Sequence, residues 1–335
     1  MLNVGINGFG RIGRMILRAY CESADQYDAL RIVCINDLSD KAMNIHLLKY
    51  DSVHGTFGFD VVEFDGGMSV NGHNITMISE PDPGKIEWEK YGVDIVFECS
   101  GRFTKKVDAE KHLKGGAKSV IVSAPSDGAD ITVVYGINHA NVKESDVIIS
   151  NGSCTTNCLA PLAYLLDREF GIDYGFMTTI HSYTGDQRLV DTVHKDPRRA
   201  RAATLSMIPS TTGAAKAVGL VLPNLKGRLD GTSIRVPTSN VSMVDLKCTL
   251  RKATTVDEIN EIMKKAACGE LQGILGYNEE KLVSCDFNHS TRSSIFDATG
   301  TFVIDRKFCR VVSWYDNEFG FSNRMLDLAK YIGVK

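Results

Sequence analysis

The sequence predicts a two-domain α/β protein: a doubly wound parallel-sheet domain over residues 1–152, then an α+β domain over 153–316 built on a large, mostly antiparallel sheet. Three observations carry this reading. Short apolar runs alternate with helix-period segments up to about residue 152, the pattern of βα units on a parallel sheet. A glycine-rich turn, Gly8-Phe9-Gly10-Arg11-Ile12-Gly13, divides the first apolar run from the first amphipathic segment. Beyond residue 172 the apolar runs grow longer and alternate with polar residues, as half-buried antiparallel strands do.

The 335 residues are enough for two cores. A net charge of -3 argues against nucleic acid or an anionic membrane as the main partner. The nine cysteines are odd in number and scattered singly through apolar segments, which fits a reducing compartment and buried thiols. The N-terminus opens directly into a strand pattern, and no apolar run is long enough to span a bilayer. A cytoplasmic protein is expected.

Taken in order, Leu2 to Asn7 reads as a buried strand and Arg14 to Tyr20 as an amphipathic helix, with G-x-G-x-x-G between them. The glycines permit a tight turn, close approach of a pyrophosphate to the backbone at Gly8 and Gly10, and close helix–strand packing at Gly13; the helix N-terminus favours the phosphate charge. A second strand, Leu30 to Asn36, ends at Asp37, where a ribose-binding carboxylate belongs in a Rossmann-type dinucleotide site. Asp37 would accept the ribose hydroxyls of NAD and repel a 2′-phosphate, so NAD is favoured over NADP; the other reading is a loop-capping aspartate beside Asn36. Asp51 to Ile78 reads as an antiparallel excursion. Val93 to Cys99 and Ser119 to Ser123 are further strands, with a charged helix from about Lys105 to Lys114 between them. Ser100 and Ser123 fall at carboxyl ends of strands, where ligands of such sheets bind.

Val147-Ile148-Ile149 leads into Ser150-Asn151-Gly152-Ser153-Cys154-Thr155-Thr156-Asn157-Cys158, then into a helix-period segment. Cys154 therefore stands where a helix begins, and the N–H groups and dipole there favour a thiolate, the nucleophile that covalent catalysis on a carbonyl needs. The other reading is a small buried hydrophobe. Cys158, one helical turn on, has no nearby His or Cys for a metal and poor geometry for a bridge. His181 closes the strand Tyr174 to Ile180 and can share a cleft with Cys154 as proton shuttle. Arg199, Arg201 and Arg235, with Thr155, Thr184, Thr212 and Gly213, are phosphate-binding residue types; Arg198 to Arg201 read equally as a solvated loop or subunit contact. Ser210 to Lys216 reads as a capped helix start. Ser233 to Val236, Val241 to Leu250, Lys281 to Phe287, Ser294 to Ile304 and Phe308 to Trp314 read as strands, and Phe321 to Tyr331 as a final helix. One reaction class suits this set: thiolate addition to an aldehyde, hydride loss to NAD, and attack of phosphate on the thioester.

On these residues the chain resembles the phosphorylating glyceraldehyde-3-phosphate dehydrogenases, from Asn3 to the last helix. The resemblance is carried by Ile6 to Arg14, Ser153 to Pro161, His181 to Thr184, Arg198 to Ala203, Thr212 to Val218, Ile234 to Thr238 and Trp314 to Glu318. It implies Cys154 as nucleophile and His181 as its activator and base. Arg11, Ile12, Asp37, Ser123 and Asn317 fall on NAD. Thr184 and Arg235 fall on the substrate phosphate, and Ser153, Thr155, Arg199, Thr212 and Gly213 on inorganic phosphate. It further implies a homotetramer, a charged loop reaching a neighbouring subunit's cofactor, no metal, and a C-terminal segment (317–335) completing the first domain.

The departures are specific. Pro81 stands where an arginine is usual, Phe321 for a tyrosine, Phe319 for a tryptophan, Pro197 for a leucine, and Thr192-Val193 for a Leu-Pro pair, which leaves limited NADP use open. Gly152 replaces an alanine and is expected to loosen its turn. The nearest rival, erythrose-4-phosphate dehydrogenase, handles phosphate poorly, and the Ser210 to Gly213 segment speaks against it. A non-enzymatic RNA-binding role for the basic loop is opposed by the acidic balance.

Overall fold

A computed structural model describes residues 1–334. Lys335, the last residue of the segment expected to complete the first domain, lies outside the described residues. The chain forms two compact units. Residues 1–135, 139–152 and those from Ser322 onward make the first, and residues 136–138 and 153–321 the second.

The first unit begins with β1 (Leu2–Asn7), α1 (Arg11–Glu22), β2 (Leu30–Asn36) and α2 (Lys41–Lys49). A small hairpin, β3 (Tyr50–Asp51) and β4 (Gly55–Thr56), precedes β5 (Val61–Phe64), β6 (Gly67–Val70) and β7 (His73–Ile78). Then come β8 (Ile95–Glu98), α3 (Lys106–Ala109), α4 (Lys111–Lys114), β9 (Ser119–Val122), β10 (Ile131–Thr132) and β11 (Ile148–Ser150). Nine of these strands form one sheet in the order β10-β11-β9-β8-β1-β2-β7-β6-β5, parallel except at the β5–β6–β7 edge. Strand order reverses on either side of β1, which opens a crevice at the carboxyl ends of β1 and β8, the usual ligand position in such sheets. Within the expected antiparallel excursion, β7 instead runs parallel to β2. The charged helix breaks at Glu110 into α3 and α4.

The second unit opens with α5 (Cys154–Phe170) and the long β12 (Ile172–Ser182). It continues through β13 (Ile208–Thr211), α6 (Ala214–Val221), β14 (Leu229–Val236), β15 (Ser242–Leu250), α7 (Val256–Cys268), β16 (Leu275–Asn278), β17 (Ser294–Ile304) and β18 (Phe308–Tyr315). Seven strands lie in the order β13-β14-β12-β15-β18-β17-β16, with β12–β14 and β16–β17 parallel and the other neighbours antiparallel. The apolar side of α5 (Leu159, Leu162, Leu165, Leu166) is fully buried. Two local expectations fail. Ser210 and Thr211 finish β13 rather than capping α6, whose N-cap is Gly213. Lys281 to Phe287 is not a strand; Ser284–Phe287 is a single tight helical turn. Helix α7 is marked in the sequence by a capping box that periodicity alone passes over: Thr255 accepts from the Glu258 N–H, and the Glu258 carboxylate accepts from the Thr255 N–H. The last helix, α8 (Phe319–Val334), follows β18, and the Asp316 carboxylate accepts the Glu318 and Phe319 N–H groups at its start.

Candidate active site

In the first unit, Gly8 adopts φ +93°, and a Cβ there would fall 2.5 Å from the Ser100 backbone. A Cβ on Gly13 would stand 2.3 Å from the Gly8 carbonyl oxygen. Both glycines are therefore dictated by contact between turn, helix and β8. No side chain caps α1 at Gly10, and its first turn carries no acid, so its N-terminus is shaped for an anion. A cleft of about 240 Å³ lies over this turn, lined by Asn7, Gly8, Gly10, Asp37, Pro81 and Ser100 among others. A cradle that a Cβ would fill, beside an uncapped helix start, suits a dinucleotide.

Asp37 lines the cleft but is also held from behind. One carboxylate oxygen accepts the Phe9 N–H at 2.7 Å; the other accepts from Ser39 N–H at 2.8 Å and Asn44 Nδ2 at 3.2 Å. Burial pushes its pKa up, but these donors outweigh it and hold it below the usual carboxylate range. The loop-capping reading is therefore met, and Asp37 also lines the cleft. Arg11, in the first turn of α1, forms an ion pair with Asp51. Ser100 donates to Glu98 from its N–H (2.8 Å) and hydroxyl (2.5 Å), and Ser123 Oγ donates to the Glu98 carbonyl at 3.0 Å. Ser100 lines the cleft; Ser123 and Ile12 do not.

In the second unit, Ser153 is the N-cap of α5: its hydroxyl accepts the Thr156 N–H at 3.0 Å, which places Cys154 at the first helical position. Cys154 Sγ lies 3.5 Å from His181 Nε2. The preceding Gly152 has φ +64° and donates to Ser150 Oγ at 3.1 Å. That left-handed turn favours glycine, so Gly152 relieves it rather than loosening it.

The parallel register of β12 and β14 sets His181 beside Arg235. His181 Nδ1 lies 2.7 Å from both the Ser182 carbonyl and Arg235 Nη1. Burial, then the Arg235 charge, pushes the His181 pKa down to about 3, so the ring is neutral at physiological pH. Burial pushes the Cys154 thiol up, while Arg235 and hydrogen bonds at Thr155 pull it down without prevailing. Arg235 and the hydrogen bonds at Thr155 thus act in the direction of the expected thiolate, and burial acts against it.

Arg199 reaches this neighbourhood from the long loop after β12. Its guanidinium donates to Ser210 Oγ and to Asp186 Oδ2 (2.6 Å), and its charge is felt at Arg235. Thr212 Oγ1 accepts the Ala214 N–H at 3.2 Å beside Gly213. The Thr184 N–H donates to Gln187 at 2.9 Å, within its own loop. The Thr155 hydroxyl is paired with the Tyr315 hydroxyl at 2.8 Å.

Sequence reasoning missed Tyr315, Ser182 and Ser242. Tyr315 also pairs with Thr179 at 2.9 Å, and its ring meets the His181 ring edge-on at 5.9 Å. Ser182 and Ser242 both donate to Asn317 Oδ1 (2.8 and 2.7 Å), which fills that oxygen and turns the Asn317 amide NH₂ the other way. Ser182 and Tyr315 lie in segments that carry the resemblance but were given no role there, and Ser242, at the start of β15, has no such signal. Phe319, in place of the usual tryptophan, stacks on His289 with ring centroids 3.6 Å apart. Cys158 is buried, its thiol pushed up to about 12 by desolvation, and it contacts Ser294 rather than Cys154. Among the described residues, no helix is long and apolar enough to cross a membrane.

Two family models match the chain: "Glyceraldehyde 3-phosphate dehydrogenase, NAD binding domain" over residues 2–106, and "Glyceraldehyde 3-phosphate dehydrogenase, C-terminal domain" over 153–317. The chain is similar to glyceraldehyde-3-phosphate dehydrogenase of Geobacillus stearothermophilus, 56% identical over 335 residues, covering 100% of this chain and 99% of that one. It is similar to glyceraldehyde-3-phosphate dehydrogenase 1 of Bacillus cereus, 54% identical over 336 residues with the same coverage. For the Cereibacter sphaeroides protein of that name, identity is 55% over 332 residues, covering 99% and 98%.

Proposed function

This chain belongs to the glyceraldehyde-3-phosphate dehydrogenase family, and we propose that it converts D-glyceraldehyde 3-phosphate, NAD⁺ and inorganic phosphate to 1,3-bisphosphoglycerate and NADH, a step of glycolysis and gluconeogenesis. The observation that carries the mechanism is the 3.5 Å contact of Cys154 with a neutral His181 at the head of α5. As the sulfur adds to the aldehyde carbon, His181 Nε2 takes the thiol proton and returns it to the developing alkoxide, giving a hemithioacetal. A bound dinucleotide would be held over Gly8, Gly10, Gly13, Asp37 and Ser100, with Arg11, Ile12, Ser123 and Asn317 as its further expected contacts, and would supply a two-electron acceptor for the hydride of that adduct. His181 takes the hydroxyl proton as the thioester forms. A phosphate oxygen then attacks the acyl carbon, the C–S bond breaks, and His181 reprotonates the sulfur.

Thr184 and Arg235 hold the substrate phosphate in this reading; Ser153, Thr155, Arg199, Thr212 and Gly213 hold the attacking one. A phosphate drawn to Arg235 offsets the charge that depresses His181, so substrate binding raises the basicity of the base just when a proton must move. Free cysteines throughout support a cytoplasmic location, and the exposed apolar residues of the loop after β12 support a homotetramer.

The test is a burst assay of NADH formation with and without phosphate, in wild type and Cys154→Ser. The expected outcome is a stoichiometric burst without phosphate, sustained turnover with it, and neither in the variant, which still binds NAD. Phosphate-independent turnover, or activity in Cys154→Ser, overturns the assignment.

A further inference from the structure

Two thiols that the proposed reaction leaves unused face each other inside the second sheet. Cys248 on β15 and Cys309 on β18 are directly opposed in antiparallel register, and their Sγ atoms lie 3.3 Å apart. Both side chains are buried. Opposed residues of an antiparallel ladder have Cα atoms about 4.5–5.5 Å apart, inside the roughly 4.4–6.8 Å span of a disulfide. The backbone is thus already placed for a bond, and only side-chain rotation separates contact from the S–S length of about 2.05 Å.

The surroundings hold the pair together. On the other flank of β15, Gly175 is in register with Cys248, and a Cβ there would stand 2.8 Å from that of Cys248, so the side chain is hemmed on that side. The hydrogen bond between the thiols separates their acidities. It raises Cys248, with burial adding to the rise, and lowers Cys309. Cys309 is the sulfur that ionises first.

We propose that Cys248 and Cys309 form an oxidisable dithiol that takes a small hydroperoxide and closes into a cross-strand disulfide. The Cys309 thiolate attacks one peroxide oxygen: an S–O bond forms, the O–O bond breaks, and the departing oxide is protonated to water. Cys248 then loses its proton and attacks the sulfenic sulfur. The S–S bond forms, the S–O bond breaks, and the second oxygen leaves as water, so two thiols lose two electrons and hydrogen peroxide gains them. Burial selects the oxidant: hydrogen peroxide is little larger than water, whereas glutathione disulfide has to bring a bulky sulfur in line with the thiolate.

The experiment uses the full chain carrying Cys154→Ser, which removes the candidate nucleophile. The protein is exposed to hydrogen peroxide or to glutathione disulfide, alkylated in denaturant and digested. With hydrogen peroxide, the peptides holding residues 248 and 309 are expected to appear joined, about 2 Da lighter than their sum and separable by reductant. Glutathione disulfide should leave them separate and alkylated. Adding Cys309→Val, a β-branched apolar residue suited to a strand, should abolish the joined species while Tm stays near that of the parent. In the otherwise native chain, Cys309→Val should leave turnover unchanged. Exposed Cys268 and Cys285 report that the oxidant was active. If they oxidise while residues 248 and 309 remain fully alkylated, or if Cys309 proceeds to a sulfinic acid unjoined, the proposal is overturned.

Discussion

Arg235 acts on the two reacting side chains in opposite directions: its charge lowers the Cys154 thiol pKa and also lowers that of His181. Arg235→Ala should therefore raise both. Iodoacetamide alkylation of Cys154 should shift its midpoint to higher pH, and the His181 titration followed by NMR should move up toward its ordinary range, still held down by burial. Arg235→Lys, which keeps the charge, should restore most of both shifts. A midpoint unmoved in Arg235→Ala would remove the arginine from the electrostatics of the site. Cys154 and His181 were legible as residues because each sits at a strand end or helix start that the local pattern reveals. Their charge state was not, because it depends on burial and on a neighbour that only the β12–β14 register brings alongside. The roles of Tyr315, Ser182 and Ser242 were hidden for the same reason: their partners Thr155, Thr179 and Asn317 lie far away along the chain.

The turn between β1 and α1 was readable almost in full, because a glycine spacing states a backbone requirement directly. Gly13→Ala puts a methyl 2.3 Å from the Gly8 oxygen, so the turn has to open. NAD affinity measured by calorimetry is expected to fall at least tenfold while the second unit's Cys154 keeps its alkylation profile. The hairpin after α2 was read only as an excursion, yet it carries Asp51, which accepts from Arg11, Val53 N–H and His54 N–H. Burial alone would raise the Asp51 pKa, but these donors bring it to about 2. A carboxylate depressed on folding contributes stability that is present above its unfolded value of 3.8 and is lost as pH falls toward 2. In urea unfolding across that window, wild type should lose stability more steeply than Asp51→Asn; equal slopes would show that the ion pair is energetically silent.

For the whole molecule, fold class followed from alternation and period, whereas strand order did not. A parallel β7 and an added β16 are long-range pairings that no local window encodes. The exposed apolar residues Leu189, Val190, Val193, Leu205 and Met207 all fall in the loop after β12, and Val193 is 88% exposed. Exposed apolar residues grouped on one loop suit a protein contact. If the proposed homotetramer uses this loop, Val193→Glu is expected to lower the mass seen by light scattering at micromolar concentration; an unchanged mass would place the subunit contact elsewhere.

Helix α8 gives the fold an order in time. Tyr27 is fully buried, and its hydroxyl meets the side chains of Asn323 (3.3 Å) and Asp327 (3.0 Å), while Gln26 donates to Asp327 at 3.1 Å. A growing polypeptide therefore completes the nine strands of its first sheet long before the turns that seal Tyr27 leave the ribosome. The nascent first half has to wait with that flank bare while the whole second unit is synthesised, and chaperones or proteases have their opening in that interval.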